Sequence, residues 1–160
     1  MNLQFDLNGK AMRLDVAADR RLIDLLREDL GLIGSKEACG TGECGTCTIL
    51  VDGETKLACL LLAAQIDGKK IVTIEGMAAE GELHPLQQAF VESGAVQCGF
   101  CTPGMVIAGA SLLEDNPQPT DDDIRTALSG NLCRCTGYQK IVDGVRACCS
   151  ERLYLPEEPQ

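Results

Sequence analysis

The sequence is poor in aromatic and basic residues and has no long apolar run. Tryptophan is absent and aromatics make up 3% of the chain, so any core must be built from aliphatic side chains; with 45% hydrophobic residues in 160, there is enough for one domain or two small ones. Basic residues number 14 against 24 acidic ones, a formal balance of -10 that repels phosphate backbones and anionic bilayer surfaces, so neither nucleic acid nor membrane is an expected partner. The longest apolar stretch, Leu57 to Ala64, falls far short of the roughly 20 residues that span a bilayer. The start, MNLQFDLNGK, has neither a basic nor an apolar signal region, so a cytoplasmic location is expected, unless a partner carries the chain elsewhere. There is a single histidine, His84, and its place just before Pro85 suits a helix cap better than a metal ligand.

The alternation of Leu3, Phe5 and Leu7, and of Met12, Leu14 and Val16, about Asn8-Gly9 predicts a hairpin with a type I′ turn. Leucines and isoleucine at helical spacing predict an amphipathic helix over Asp19 to Leu30, ended by Gly31. A glycine-rich segment follows, then a strand over Thr48 to Val51 closed by Asp52-Gly53, and a further strand over Lys70 to Glu75. These elements describe a small mixed sheet with one packed helix, ending near Gly76. After a linker at 77–83 the pattern becomes helical. One helix is expected from Pro85 to about Ser93 and a second from Thr102-Pro103 to just before Asn116-Pro117. A third is capped by Thr120 with Asp123 and ends near Gly130, and a fourth runs from about Tyr138 to Leu153. The acidic LPEEPQ terminus reads as a flexible tail.

What is abundant is cysteine, with ten residues. In a reducing compartment they point to metal or redox chemistry instead of a disulfide framework. Cys39, Cys44 and Cys47 lie in CGTGECGTC, and Cys59 follows after eleven intervening residues. This is the C-x4-C-x2-C...C spacing of a plant-type [2Fe-2S] cluster, whose two irons need four thiolates. Gly40, Gly42 and Gly45 let the loop wrap closely and turn backbone N–H groups toward sulfur. A zinc site usually shows two C-x2-C knuckles, and this set has one. The same glycines spell G-x-G-x-x-G, but a dinucleotide site needs a strand before the motif and a helix after it, the reverse of this order. The second set pairs Cys98 and Cys101 in QCGFCTPG with Cys133 and Cys135 in GNLCRCTG. Here spacing alone leaves iron-sulfur and zinc open, while a thioredoxin-like dithiol lacks its βαβ context.

Taken together, KEACGTGECGTCTILVDG, AVQCGFCTPGM and GNLCRCTGYQKI closely resemble the small iron-sulfur subunit of the molybdenum hydroxylases, the family of xanthine dehydrogenase, carbon monoxide dehydrogenase, aldehyde oxidoreductase, nicotinate dehydrogenase and hydroxybenzoyl-CoA reductase. The resemblance runs from the first hairpin to about Val145. It implies an α+β chain: a plant-ferredoxin-like β-grasp domain over 1–76, a linker over 77–83 and a four-helix bundle over 84–160. Each domain would hold one [2Fe-2S] cluster. By motif, Cys39, Cys44, Cys47 and Cys59 would ligate the flavin-proximal cluster, and Cys98, Cys101, Cys133 and Cys135 the molybdenum-proximal one.

Gln97 and Cys135 match positions that approach the pterin, although Gln97 could equally be a simple polar cap. The resemblance further implies a large molybdenum-pterin subunit, a medium FAD subunit, and a heterotrimer or a dimer of heterotrimers. Electrons would run from molybdenum to FAD, or in reverse as in the hydroxybenzoyl-CoA reductases. Arg134, between two ligands, could offset cluster charge, pair with a partner's carboxylate or face water. The chain departs from the family at Ala38, where glycine is frequent, and at Thr46, where alanine or serine is common. Cys148 and Cys149 lie outside both motifs and cannot both face a core, so one is expected to be buried and the other incidental. Leu153-Tyr154-Leu155 is expected to dock on a partner or to close the bundle.

Overall fold

The computed structural model describes residues 1–78 and 81–149. The first hairpin forms as its turn residues require. Strands β1 (Asn2–Leu7) and β2 (Lys10–Asp15) pair antiparallel, and Asn8 and Gly9 both sit at positive φ, 53° and 77°. The second turn is built the same way by Asp52 and Gly53, joining β3 (Thr48–Val51) to β4 (Glu54–Leu57). The charged β4, ETKL, carries no apolar alternation and was not legible as a strand; it lies at the sheet edge, where exposed polar side chains are tolerated. With β5 (Lys70–Val72) the sheet order is β2-β1-β5-β3-β4, with β1 and β5 parallel and the other neighbours antiparallel.

The expected helix from Asp19 to Leu30 is shorter and starts later. An α-helical turn, Leu22–Asp24, passes directly into a π-helical turn, Leu25–Asp29, and the two are together called α1. Its first residues cannot be helical because their backbone is committed elsewhere: Ala63 and Ala64 donate to the carbonyls of Arg20 and Ala18, and Leu22 donates to Leu61. The wide turn lets Leu22, Ile23, Leu25 and Leu26 all be fully buried against the sheet. The strand expected over Lys70 to Glu75 likewise stops at Val72. The Asn8 side chain takes the amide of Thr73, and residues Ile74–Gly76 form a 3₁₀ turn.

The helical half follows the predicted starts. Helix α2 (Pro85–Glu92) is capped by His84, whose imidazole accepts from the Leu86 amide while Gln87 reaches back to the His84 amide. Helix α3 (Thr102–Asp115) carries Pro103 in its first turn and is followed by Asn116 as its C-cap, and α4 (Asp121–Leu128) carries the Thr120–Asp123 capping box. Helix α5 (Gln139–Ala147) ends earlier than expected, because Cys148 and Cys149 donate three residues back and close the last turn. Its expected continuation to Leu153, the LPEEPQ tail and the Leu153-Tyr154-Leu155 segment lie outside the described residues. The helices pack in a ring, α2 on α3, α3 on α4, α4 on α5 and α5 on α2.

Two cores result. One joins α1 to β1, Ile49, Val51 and Ile71; the other fills the helical ring and takes in Leu50 and Met77. Strand β3 is therefore buried on both faces, which explains why TILV shows no polar alternation. Leu50 points away from its neighbours, toward α3, and fastens the sheet to the helices.

Candidate iron-sulfur sites

The first cysteine loop is fixed at its entry by charge. Arg21, at the start of α1, reaches Glu37 at 2.6 Å and Asp24 at 2.7 Å, and Arg27 donates to the carbonyls of Ile33 and Ser35. Beyond Glu37 the chain winds through Gly40, Gly42 and Gly45, all at positive φ, and delivers Cys47 into the start of β3. Cys59 arrives from the end of β4, beside Cys47. Cys39 is exposed, Cys44 half-buried, and Cys47 and Cys59 buried.

The second set is assembled from two interhelical segments. Cys98 and Cys101 precede α3, and Cys133 and Cys135 sit between α4 and α5. Cys98 and Cys135 are exposed, while Cys101 and Cys133 lie deeper. Gln97 and Arg134 are exposed next to them.

In both sets the thiols lie near one another. Cys44 neighbours Cys39 and Cys47, and Cys47 neighbours Cys59; Cys98 neighbours Cys101 and Cys135, and Cys133 neighbours the same two. Four thiols gathered from neighbouring segments match the four thiolates that a [2Fe-2S] centre needs, and the residues present fit that group.

Polar groups are aimed at the sulfurs. The Thr41 amide donates to Cys39 Sγ at 3.4 Å, and Cys133 Sγ accepts from the Thr136 amide at 3.4 Å and the Thr136 hydroxyl at 3.1 Å. The Thr41 donor, with smaller help from Cys44, brings Cys39 down to about 6. Burial pushes Cys133 up, but the Thr136 and Cys135 donors together with Cys101 bring it below its ordinary value. Burial dominates elsewhere and pushes Cys47 and Cys101 up to about 12, and the neighbouring Cys98 thiol raises Cys135. Cys47 and Cys101, raised in this way, would give up protons on binding iron.

The two sites share a wall. Leu132 N–H donates to the Cys44 carbonyl at 2.9 Å, Thr46 Oγ1 donates to the Phe100 carbonyl at 3.0 Å, and the buried Asn131 amide donates to the Gly45 carbonyl at 2.9 Å. Tyr138, held at φ 70°, braces this wall: its hydroxyl accepts from Cys133 N–H at 2.9 Å and donates to the Asn131 carbonyl at 3.2 Å. Sequence reading gave none of these four supporting residues a site role. Thr46 had been noted only as a departure from the family, and it is a donor across the seam.

Comparison with known proteins finds two matching family models. Residues 5–73 match the family model for a 2Fe-2S iron-sulfur cluster binding domain, and residues 73–146 match that for a [2Fe-2S] binding domain. The chain is 51% identical over 146 residues to the nicotinate dehydrogenase small FeS subunit of Eubacterium barkeri, covering 91% of this chain and 93% of that one. This chain belongs to the small iron-sulfur subunit family of the molybdenum hydroxylases.

A second relative of this family, the xanthine dehydrogenase iron-sulfur-binding subunit of Escherichia coli O157:H7, is 48% identical over 92% of this chain and 94% of its own length. Among solved structures, quinoline 2-oxidoreductase from Pseudomonas putida 86 superposes with a TM-score of 0.90 at 44% identity, over 93% of this chain and 92% of that one. As in these relatives, the chain is the electron-transfer subunit of an oxidoreductase and carries two [2Fe-2S] domains. No helix among the described residues is long and apolar enough to cross a membrane.

Proposed function

We propose that this chain relays electrons between a molybdenum-pterin centre on a large subunit and FAD on a medium subunit, in a cytoplasmic heterotrimer or a dimer of heterotrimers. Its sheet half is read as a ferredoxin-like β-grasp domain over 1–76 and its helical half as a four-helix bundle from 84 onward. Cys39, Cys44, Cys47 and Cys59 would hold one cluster, and Cys98, Cys101, Cys133 and Cys135 the other. A [2Fe-2S] cluster supplies one-electron chemistry. The chain supplies thiolates, donors to sulfur and a fixed path. The observation that carries the reading is the gathering of eight thiols into two sets whose loops meet at a hydrogen-bonded seam.

Each set has an exposed edge suited to one partner. Cys98 and Cys135 reach the surface near exposed Val96, Phe100 and Leu132, and Cys39 reaches it in the loop whose Gly42 packs on exposed Leu60. An apolar rim excludes water at a contact without relying on charge, which suits a chain of net charge -10. Gln97 and Cys135, on the first of these edges, would face the pterin.

The test is anaerobic purification of the tagged chain from its native cell. The reading expects two larger subunits, with molybdenum and flavin in equal amounts and about four irons per chain. A chain recovered alone, with its iron but without molybdenum or flavin, would show a free-standing carrier instead.

A further inference from the structure

We propose that Asn131 is a positioning residue that sets the separation of the two thiol sets, and with it the coupling of the centres they hold; this rests on the two-cluster reading above. Its side chain is 6% exposed. The Nδ2 group donates to the Gly45 carbonyl at 2.9 Å and to Thr48 Oγ1 at 3.3 Å, across 86 and 83 residues of sequence. Both bonds use the amide N–H donors, and Thr48 Oγ1 has a lone pair to offer because its own proton goes to the Gly45 carbonyl at 2.6 Å.

Asn131 is itself fixed by its backbone. Its N–H donates to the Leu128 carbonyl at the end of α4, and its carbonyl accepts from Tyr138. The side chain thus ties a rigid point two residues before Cys133 to Gly45 and Thr48, the residues that directly follow Cys44 and Cys47. The next amide, that of Leu132, reaches the Cys44 carbonyl, so a bonded route between the two loops runs Cys44 C=O to Leu132 N–H to Cys133.

Glycines permit the approach. A Cβ on Gly45 would lie 2.2 Å from the Gly130 carbonyl, and one on Gly104 would lie 2.5 Å from the Gly45 carbonyl and 3.1 Å from Asn131 Nδ2. The seam therefore has no slack, and the Asn131 amide is the buried side chain that bonds across it at this close approach. Tunnelling falls steeply with separation, so a small opening here changes transfer more than it changes the fold.

Asn131→Asp tests this, since the change is isosteric and replaces a donor with a carboxylate oxygen facing the Gly45 carbonyl. The full-length chain is loaded with iron and sulfide, reduced at both centres, and examined by low-temperature EPR for spin–spin splitting between the two signals. Val145→Ala, a core truncation further along α5 beside Gly109, controls for loss of stability. The expected result is wild-type iron and both signals in Asn131→Asp with the splitting reduced, while Val145→Ala keeps it.

Unchanged splitting in a fully loaded Asn131→Asp chain overturns the inference. If that variant fails to load, Asn131→Ala, which removes the donor without setting a charge against the Gly45 carbonyl, is read in its place: reduced splitting supports the inference and wild-type splitting overturns it. Two wild-type signals with no interaction overturn the inference alone, whereas the absence of two signals in wild type removes the two-cluster reading itself.

Discussion

Leu132 N–H donates to the carbonyl of Cys44 across 2.9 Å, joining the loop of one thiol set to the loop of the other through backbone alone. The bond uses no cysteine side chain. Removing a thiol therefore need not open the seam, and this shapes the first prediction.

Cys44→Ala is expected to abolish only the sheet-domain centre and Cys133→Ala only the helical one, each leaving about half of the four irons that two [2Fe-2S] centres contain. Iron analysis with EPR on each variant checks this. Loss of both signals from either change would show that the sites fold as one unit.

Tyr138→Phe removes the hydroxyl that accepts from Cys133 N–H and donates to the Asn131 carbonyl. Both groups are then left short of a partner in a partly buried loop, a cost of about 1–3 kcal/mol. Urea unfolding should show this loss in the midpoint at unchanged slope. An unchanged midpoint would mean that the loop finds other partners.

Thr136→Val keeps the shape of the side chain but deletes the hydroxyl 3.1 Å from Cys133 Sγ. A donor to a ligand sulfur favours the more negative, reduced state, so its loss should lower the midpoint of the helical-domain centre alone. For about 1 kcal/mol of differential hydrogen bonding the shift is about 40 mV at one electron. Redox titration of the two signals reads it, and Thr136→Ser should restore the wild-type value.

His84 is buried and caps α2 as a neutral acceptor, and desolvation holds its pKa below the ordinary 6.5. The unfolded chain thus takes up the proton first. The stability that depends on neutral His84 is complete above pH 6.5 and is lost as pH falls from there through the lower folded value. His84→Asn keeps a capping oxygen, worth about 1 kcal/mol, and removes this titration. Melting temperatures measured between pH 7 and pH 5 should fall more steeply for wild type than for the variant.

The local features of the fold were legible in the sequence. Asn8-Gly9 and Asp52-Gly53 specify their turns by the positive φ that each needs, and Pro85, Pro103 and the Thr120–Asp123 pair mark helix starts by the donors they lack or satisfy. Spacing likewise separated the eight motif cysteines from Cys148 and Cys149, of which Cys148 proves buried and Cys149 half-buried at the end of α5. What was not legible depends on distant partners. The late start of α1 follows from strand-like pairing of residues 18–22 with 61–64, and the early end of β5 from the side chain of Asn8. Asn131 and Thr46 look like ordinary loop residues until the chain brings their partners, 86 and 54 positions away, into contact.

The measurement that bears most directly on the central claim is low-temperature EPR of the dithionite-reduced protein, with iron and acid-labile sulfide determined on the same anaerobic sample. Two distinct S = 1/2 signals with about four irons and four sulfides per chain are the predicted result. One signal with half that iron, or a colourless protein that holds zinc and no sulfide, would contradict it.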